Sequence, residues 1–156
     1  MLILQPTATP SQKRLGTYVH ATFVNLALLC FLTAFIFIEI NKHAHHGVHL
    51  ASPHAIMGLT AYILLLAQAF FGAAQFFFPT VVFGTEERAK SVYVFHRASG
   101  YVIVALLCAT VAAATWTDYN LTVLHIHHWS VITASVILLA GLYARIQKSK
   151  LRPGSS

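Results

Sequence analysis

The chain has 156 residues, of which 57% are hydrophobic and only 9% charged, and its mean hydropathy is +0.68. An average soluble domain carries roughly 25% charged residues, so composition excludes an ordinary soluble enzyme and makes the lipid bilayer the partner of the apolar surface. The net charge of +6 and pI near 9.6 do not indicate nucleic acid, because the basic residues sit at the ends of apolar runs, the pattern of a membrane surface.

An N-terminal segment, residues 1–15, contains Met1-Leu-Ile-Leu4, too short for a signal-peptide core, and ends in the basic pair Lys13 and Arg14. The first apolar span runs from about 18 to 40, with His20 near its start, Asn25 and Cys30 inside it and Glu39 at its far edge. A histidine-rich loop follows, Asn41-Lys-His-Ala-His-His-Gly-Val-His49. Ser52 and Pro53 then form a good N-cap and first-turn pair for a second span over 54–78. That span contains no charge, opens on His54 and carries Gly58 and Gln68. Pro79, Gly84, Thr85 and Glu86 close it. The third span, about 92–117, contains His96, Arg97, Gly100 and Cys108.

The fourth apolar run, 129–144, has only 16 residues, whereas a span needs about 20. It is therefore expected to recruit upstream residues, extend over about 124–146 and draw His125, His127 and His128 against the membrane. A basic tail, 148–156, follows. The two cysteines read as small buried hydrophobes rather than a disulfide. Asn25 and Gln68 read as interhelical hydrogen-bond partners. Asn120-Leu-Thr122 is a glycosylation sequon expected to stay unused, so close to the membrane does it lie.

Short connections make neighbouring helices antiparallel. The expected fold is all-α: an integral membrane four-helix bundle, up-down-up-down, over residues 16–147. One side receives Lys13, Arg14, Arg88, Lys90, Arg97, Arg145, Lys148, Lys150 and Arg152, and the other only Lys42. By the positive-inside rule both termini are cytoplasmic.

An ionisable side chain inside a span is costly and marks a functional site by default. His54 and His96 each open an apolar helix, and each has a glycine at i+4 on the same face (Gly58, Gly100). His20 opens another. Histidines at helix starts beside small residues suit the axial ligands of a flat cofactor, haem. The first and third helices run the same way and lie diagonally in such a bundle, so His20 and His96, matched in depth, form one bis-histidine pair. His54 faces the other end, where His128 or His125 on the fourth helix stands opposite. Those two share a face at i, i+3, and His128 is the deeper. No Cys-x-x-Cys-His motif is present, so attachment is non-covalent and the haem is b-type.

Simpler readings compete. His43, His45, His46 and His49 form a metal-binding tract, which would make the chain a metal-binding or transport protein. That class lacks the intramembrane carboxylates an ion path uses. Glycines in membrane helices also serve as packing residues.

Taken together, these segments resemble the cytochrome b561 family of transmembrane haem proteins. Tyr18-Val-His20 and its apolar stretch look like the family's third helix, and Pro53-His54-Ala-Ile-Met-Gly58, running to Phe76-Phe-Phe-Pro79, looks like the fourth. Tyr93-Val-Phe-His96-Arg-Ala-Ser-Gly100 looks like the fifth, and residues 124–146 stand in place of the sixth. The 34-residue spacing from His20 to His54 and the Gln at position 68 fit the same pattern. The resemblance covers roughly 13–147.

It implies transmembrane electron transfer through b-type haems, from cytosolic ascorbate to ferric iron or monodehydroascorbate, an oxidoreductase of the ferric reductase type. His20 and His96 become the axial pair of the cytoplasmic-side haem, and His54 one ligand of the outer haem. Lys13 and Arg14 fall where basic residues attract an anionic donor, although they serve equally as topology anchors. The family has two further helices before this region, one bearing the partner of His54. Residues 1–5 read like the end of that helix. The chain is then a fragment or truncated product with its N-terminal helices missing, an accessory subunit with a degenerate site, or a natural four-helix variant in which His128 or His125 replaces the lost ligand. A homodimer is compatible with each, and the fragment is slightly favoured.

Overall fold

The computed structural model describes residues 9–147 and 151. The expectations placed on residues 1–5 lie outside the described residues, as does the basic tail apart from Leu151. All regular structure among the described residues is helical, in two units: Met1–Gly47 and Val48–Ser156.

The first unit holds α1, Pro10–Ala44, 35 residues. It starts eight residues before the expected span because Thr9 and Gln12 form a capping box. Thr9 Oγ1 accepts from the Gln12 amide at 3.3 Å, and Gln12 Oε1 accepts from the Thr9 amide at 3.2 Å, satisfying donors that a helix start leaves open. At 1.5 Å per residue α1 is about 52 Å long, more than the roughly 30 Å of a bilayer's hydrocarbon. The surplus carries Lys13 and Arg14 at one end and Lys42 and His43 at the other. Within α1 the Asn25 Nδ2 donates to the Ala21 carbonyl one turn back at 2.9 Å, a bond a short amide makes within its own helix. The helix stops where the His45 Nδ1 meets the Asn41 carbonyl at 2.9 Å and His46 turns left-handed, φ 50°.

In the second unit α2 spans Pro53–Phe77. Ser52 Oγ accepts from the Ala55 amide at 3.2 Å and Pro53 occupies the first turn, as the sequence predicts. Pro79 ends the helix and starts a short one, α3 (Pro79–Phe83), which stops at Gly84 with φ 79°. Thr85 caps α4 (Glu86–Ser91), accepting from the Arg88 amide at 3.2 Å. The stretch between the second and third spans, read as a loop, is thus two short helices, and α5 (Tyr93–Ala114) follows almost without a break. Among the described residues three helices are long and apolar enough to cross a membrane: α1, α2 and the stretch Glu86–Ala114.

The last helix, α6, begins at His128 and ends at Ala144, 17 residues. It does not recruit 124–127. Instead Asn120–Leu124 forms one π-helical turn, and His125 leaves it in the left-handed region with φ 53°. The cause is Asn120, 5% exposed. Its Nδ2 donates to the carbonyls of Thr115 at 2.8 Å and Ile126 at 3.0 Å, and its Oδ1 accepts from the Ile126 amide at 3.1 Å. One side chain replaces the helical bonds that 124–127 would otherwise make.

The same three bonds occupy both Asn120 amide hydrogens, so its sequon is occluded. Replacing Asn120 by Ala should cost about 1–3 kcal/mol, the range for stripping partners from buried polar groups, and lower the melting temperature of the purified protein by several degrees. Unmodified protein made in a glycosylating host should show no mobility change on glycosidase treatment. A glycosylated Asn120, or an unaltered melting temperature in the variant, contradicts the clamp.

Candidate functional site

The site is built on the seam between α2 and α5, which pack antiparallel. On α2 the stripe His54, Gly58, Ala61, Gln68, Gly72 and Gln75 repeats by threes, fours and one step of seven, the spacing that keeps one face toward a neighbouring helix. Ala61 is fully buried. On α5 His96, Gly100, Ile103 and Thr110 repeat in the same way, with Ile103 and Thr110 buried.

At one end His96 packs its ring against Gly72. A Cβ there would stand 2.7 Å from His96 Cε1, a distance atoms do not tolerate, so only glycine admits the imidazole in this position. Gln68 Nε2 donates to the His96 carbonyl, and Ser99 Oγ donates to Gln68 Oε1 at 2.8 Å. Gln68 is therefore the interhelical partner the sequence suggests, and what it grips is the turn that carries His96. A cavity of about 260 Å³ opens beside this ring. Leu64, Phe71, Phe95 and Ile103 supply its apolar walls, and His96 with Gln68 and Ser99 its polar lining.

At the other end His54 Nδ1 lies 3.0 Å from the Thr110 carbonyl. A carbonyl only accepts, so Nδ1 carries a hydrogen, and in the neutral ring Nε2 carries the lone pair. That tautomer, fixed by a backbone acceptor, is the usual state of a metal-ligating histidine. At Gly58 a Cβ would meet only ordinary contact, Thr110 Cγ2 at 3.5 Å, whereas at Gly100 it would press on Gln68 Nε2 at 3.3 Å. Of the two glycines singled out by the sequence, Gly100 is the one the opposite helix crowds. Gly72, which supports an imidazole directly, had no signal in the sequence beyond its four-residue offset from Gln68.

The other candidates are placed as follows. His20 lies about three turns into α1 and Lys13 and Arg14 in its first two turns, all in the first unit. Arg97 follows His96 on α5. His125 and His128 do not share a helical face, because the chain between them is not helical; the i, i+3 argument fails at the left-handed His125. His128 opens α6, its ring stacked on Trp116 with centroids 4.8 Å apart and tilted beside Trp129 at 5.2 Å. Among the described residues no three histidine, cysteine or carboxylate side chains gather as a metal site.

Both seam histidines fit a haem. The fixed tautomer of His54 leaves Nε2 as a ligand atom, and His96 sits in an apolar cavity with its ring backed by Gly72. A family model described as eukaryotic cytochrome b561 matches residues 2–117. No curated protein and no solved structure matches the chain.

The two glycines of α2 separate packing from ring support. Gly72→Ala should displace the His96 ring and destabilise the protein by about 1–3 kcal/mol, as overpacking does. Gly58→Ala meets only ordinary contact and should be tolerated. Thermal unfolding of the two purified variants checks this, and equal melting temperatures would remove the special role of Gly72.

Proposed function

The chain belongs to the eukaryotic cytochrome b561 family, and from that premise we propose that it passes electrons from a cytosolic donor such as ascorbate to an acceptor such as ferric iron or monodehydroascorbate across the membrane. Family membership brings transmembrane electron transfer and haem b, and with the three apolar helices it makes the protein integral to the membrane. When bound, haem takes up and releases single electrons by cycling its iron between ferric and ferrous states.

The observation that carries the reading is the separation of the two seam histidines. From His54 to Gly72, where His96 packs, α2 rises through 18 residues, about 27 Å. That distance nearly equals the roughly 30 Å hydrocarbon core, so each imidazole belongs to a different membrane face. In this reading the chain contributes to a four-helix up-and-down bundle with cytoplasmic termini. His20 and His96 would hold a haem on the cytoplasmic side, and His54 would help hold one on the outer side.

The protein's own residues do the rest. Gln68 and Gly72 fix the turn and ring of His96. The Thr110 carbonyl draws on the Nδ1 hydrogen of His54, which raises the basicity of Nε2. Lys13 and Arg14 form a positive edge that attracts an anionic donor, with an effect that salt weakens. Arg97, next to His96, adds positive charge on the same side.

Haem-supplied, purified protein should show a Soret band and a dithionite-sensitive α band, with a pyridine haemochrome of b type. His20→Ala and His96→Ala should each remove the same haem, because each takes away one of the two residues that would hold it. His43→Ala and His45→Ala should leave that spectrum intact. Equal losses from all four variants would point to unspecific haem capture by histidines and end the reading.

His128 tests the outer site. Its ring is held by Trp116 and Trp129 and it does not share a face with His125, so α6 is not expected to supply the partner of His54. His128→Ala should therefore leave the haem content unchanged. Loss of one and the same haem in His128→Ala and His54→Ala would make α6 the partner after all.

A further inference from the structure

Gln75 is the third residue from the end of α2 and lies on the seam stripe, seven residues after Gln68. It is the most thoroughly buried large side chain among the described residues, 2% exposed. Neither its Nε2 nor its Oε1 has a hydrogen-bond partner among the described residues. Gln68, two turns earlier, shows the contrast: its nitrogen donates to the His96 carbonyl and its oxygen accepts from Ser99. Buried amides are nearly always bonded, and an unpaired one calls for an explanation such as a bound group. Inside a bilayer the penalty is not relieved by solvent.

The position of Gln75 narrows what that group is. It follows Gly72 by three residues, about 4.5 Å along the helix axis, on the side leading to Phe77 and Pro79 where α2 ends. The His96 ring rests on Gly72, so Gln75 lies between the imidazole and the nearer end of the apolar helix. Haem b is an apolar disc with two carboxylates on one edge, and charge within a membrane is directed to the nearer aqueous boundary. A carboxylate passing from His96 toward that boundary runs in the direction in which Gln75 lies, and an amide N–H is the donor it needs.

We propose that Gln75 is a binding residue for the carboxylate edge of the group at His96, donating from Nε2 to one haem propionate. The inference rests on the haem reading above. Its chemistry is a charge-assisted hydrogen bond, and such a bond is worth about tenfold or more in affinity. It also fixes which edge of the disc faces the end of α2.

Haem b and its dimethyl ester, which lacks both carboxylate charges, provide the test. Each is titrated into the purified full-length protein, and binding is followed by the Soret band. Wild-type protein should bind haem b at least about tenfold more tightly than the ester. Gln75→Leu and Gln75→Met should weaken haem b by about that factor and leave ester binding unchanged. The haem-free variants should melt no lower than haem-free wild type, since each loses an amide that has nothing to bond. An equal loss for both ligands would make Gln75 structural only, and no change for either would leave its amide holding water; both results overturn the proposal. A wild-type protein with no Soret band overturns the haem reading and this inference together, whereas a normal band with identical ester and haem affinities overturns this inference alone.

Discussion

The closeness of α2 and α5 is the constraint on which the site depends. In a bilayer two apolar helices gain little by hiding from lipid, since the tails are as apolar as their side chains, and association relies on close packing and a few hydrogen bonds. This seam uses both. Ala61, Gly72 and Gly100 allow the close packing, and His54 and Gln68 reach across to carbonyls of the facing helix. An interhelical hydrogen bond of this kind averages only about 0.6 kcal/mol. The many small dispersion contacts along 22–25 residue helices outweigh it. The bonds set register and orientation more than they set strength.

That division of labour explains why the chemistry sits on the seam. A ligand histidine must point one nitrogen at a fixed place, so its other nitrogen and its ring plane have to be held. His54 is held by the Thr110 carbonyl, and His96 by the Gly72 backbone under its ring and by the Gln68 grip on its own carbonyl. The elements that pack the two helices are the same ones that orient the two imidazoles. A small change in the packing of α2 against α5 is therefore transmitted to both ends of the pair.

Beyond the seam the structure is finished by local devices. Asn120 folds the chain back between α5 and α6 with three hydrogen bonds, and Trp116, His128 and Trp129 lie together beside that turn. Tryptophan at the end of an apolar helix is the ordinary anchor of a membrane boundary, apolar in its rings and polar at one edge. The histidine-rich stretch at the other connection does a related job. His45 closes the end of α1 on the Asn41 carbonyl, and His46 supplies the left-handed turn. A run of histidines that looks like a metal tract works, at these two positions, as a helix stop.

The amino-acid order by itself determined the apolar spans, because uncharged runs of this length suit lipid and little else. It also determined the start of α2 at Ser52-Pro53, its end at Pro79 and the placing of His54 and His96 near helix beginnings, whereas His20 stands about three turns into α1 because the Thr9–Gln12 capping box starts that helix earlier. Some signals were present but outranked: Thr9 with Gln12 spells a capping box ahead of the first apolar run, and Thr85 before two glutamates starts a short helix in what reads as a loop. Other features have no local signature at all. Gly72 differs from Gly58 only in what stands opposite, an imidazole in one case and a threonine methyl in the other. Gln75 differs from Gln68 only in lacking a neighbour to bond, and Asn120 reads as an unused sequon until its amide is seen spent on Thr115 and Ile126. Spans follow from hydropathy summed along the chain, which sequence contains. Which nitrogen, glycine or amide meets which partner is a matter of distances between residues far apart in the chain, and only the packed helices decide that.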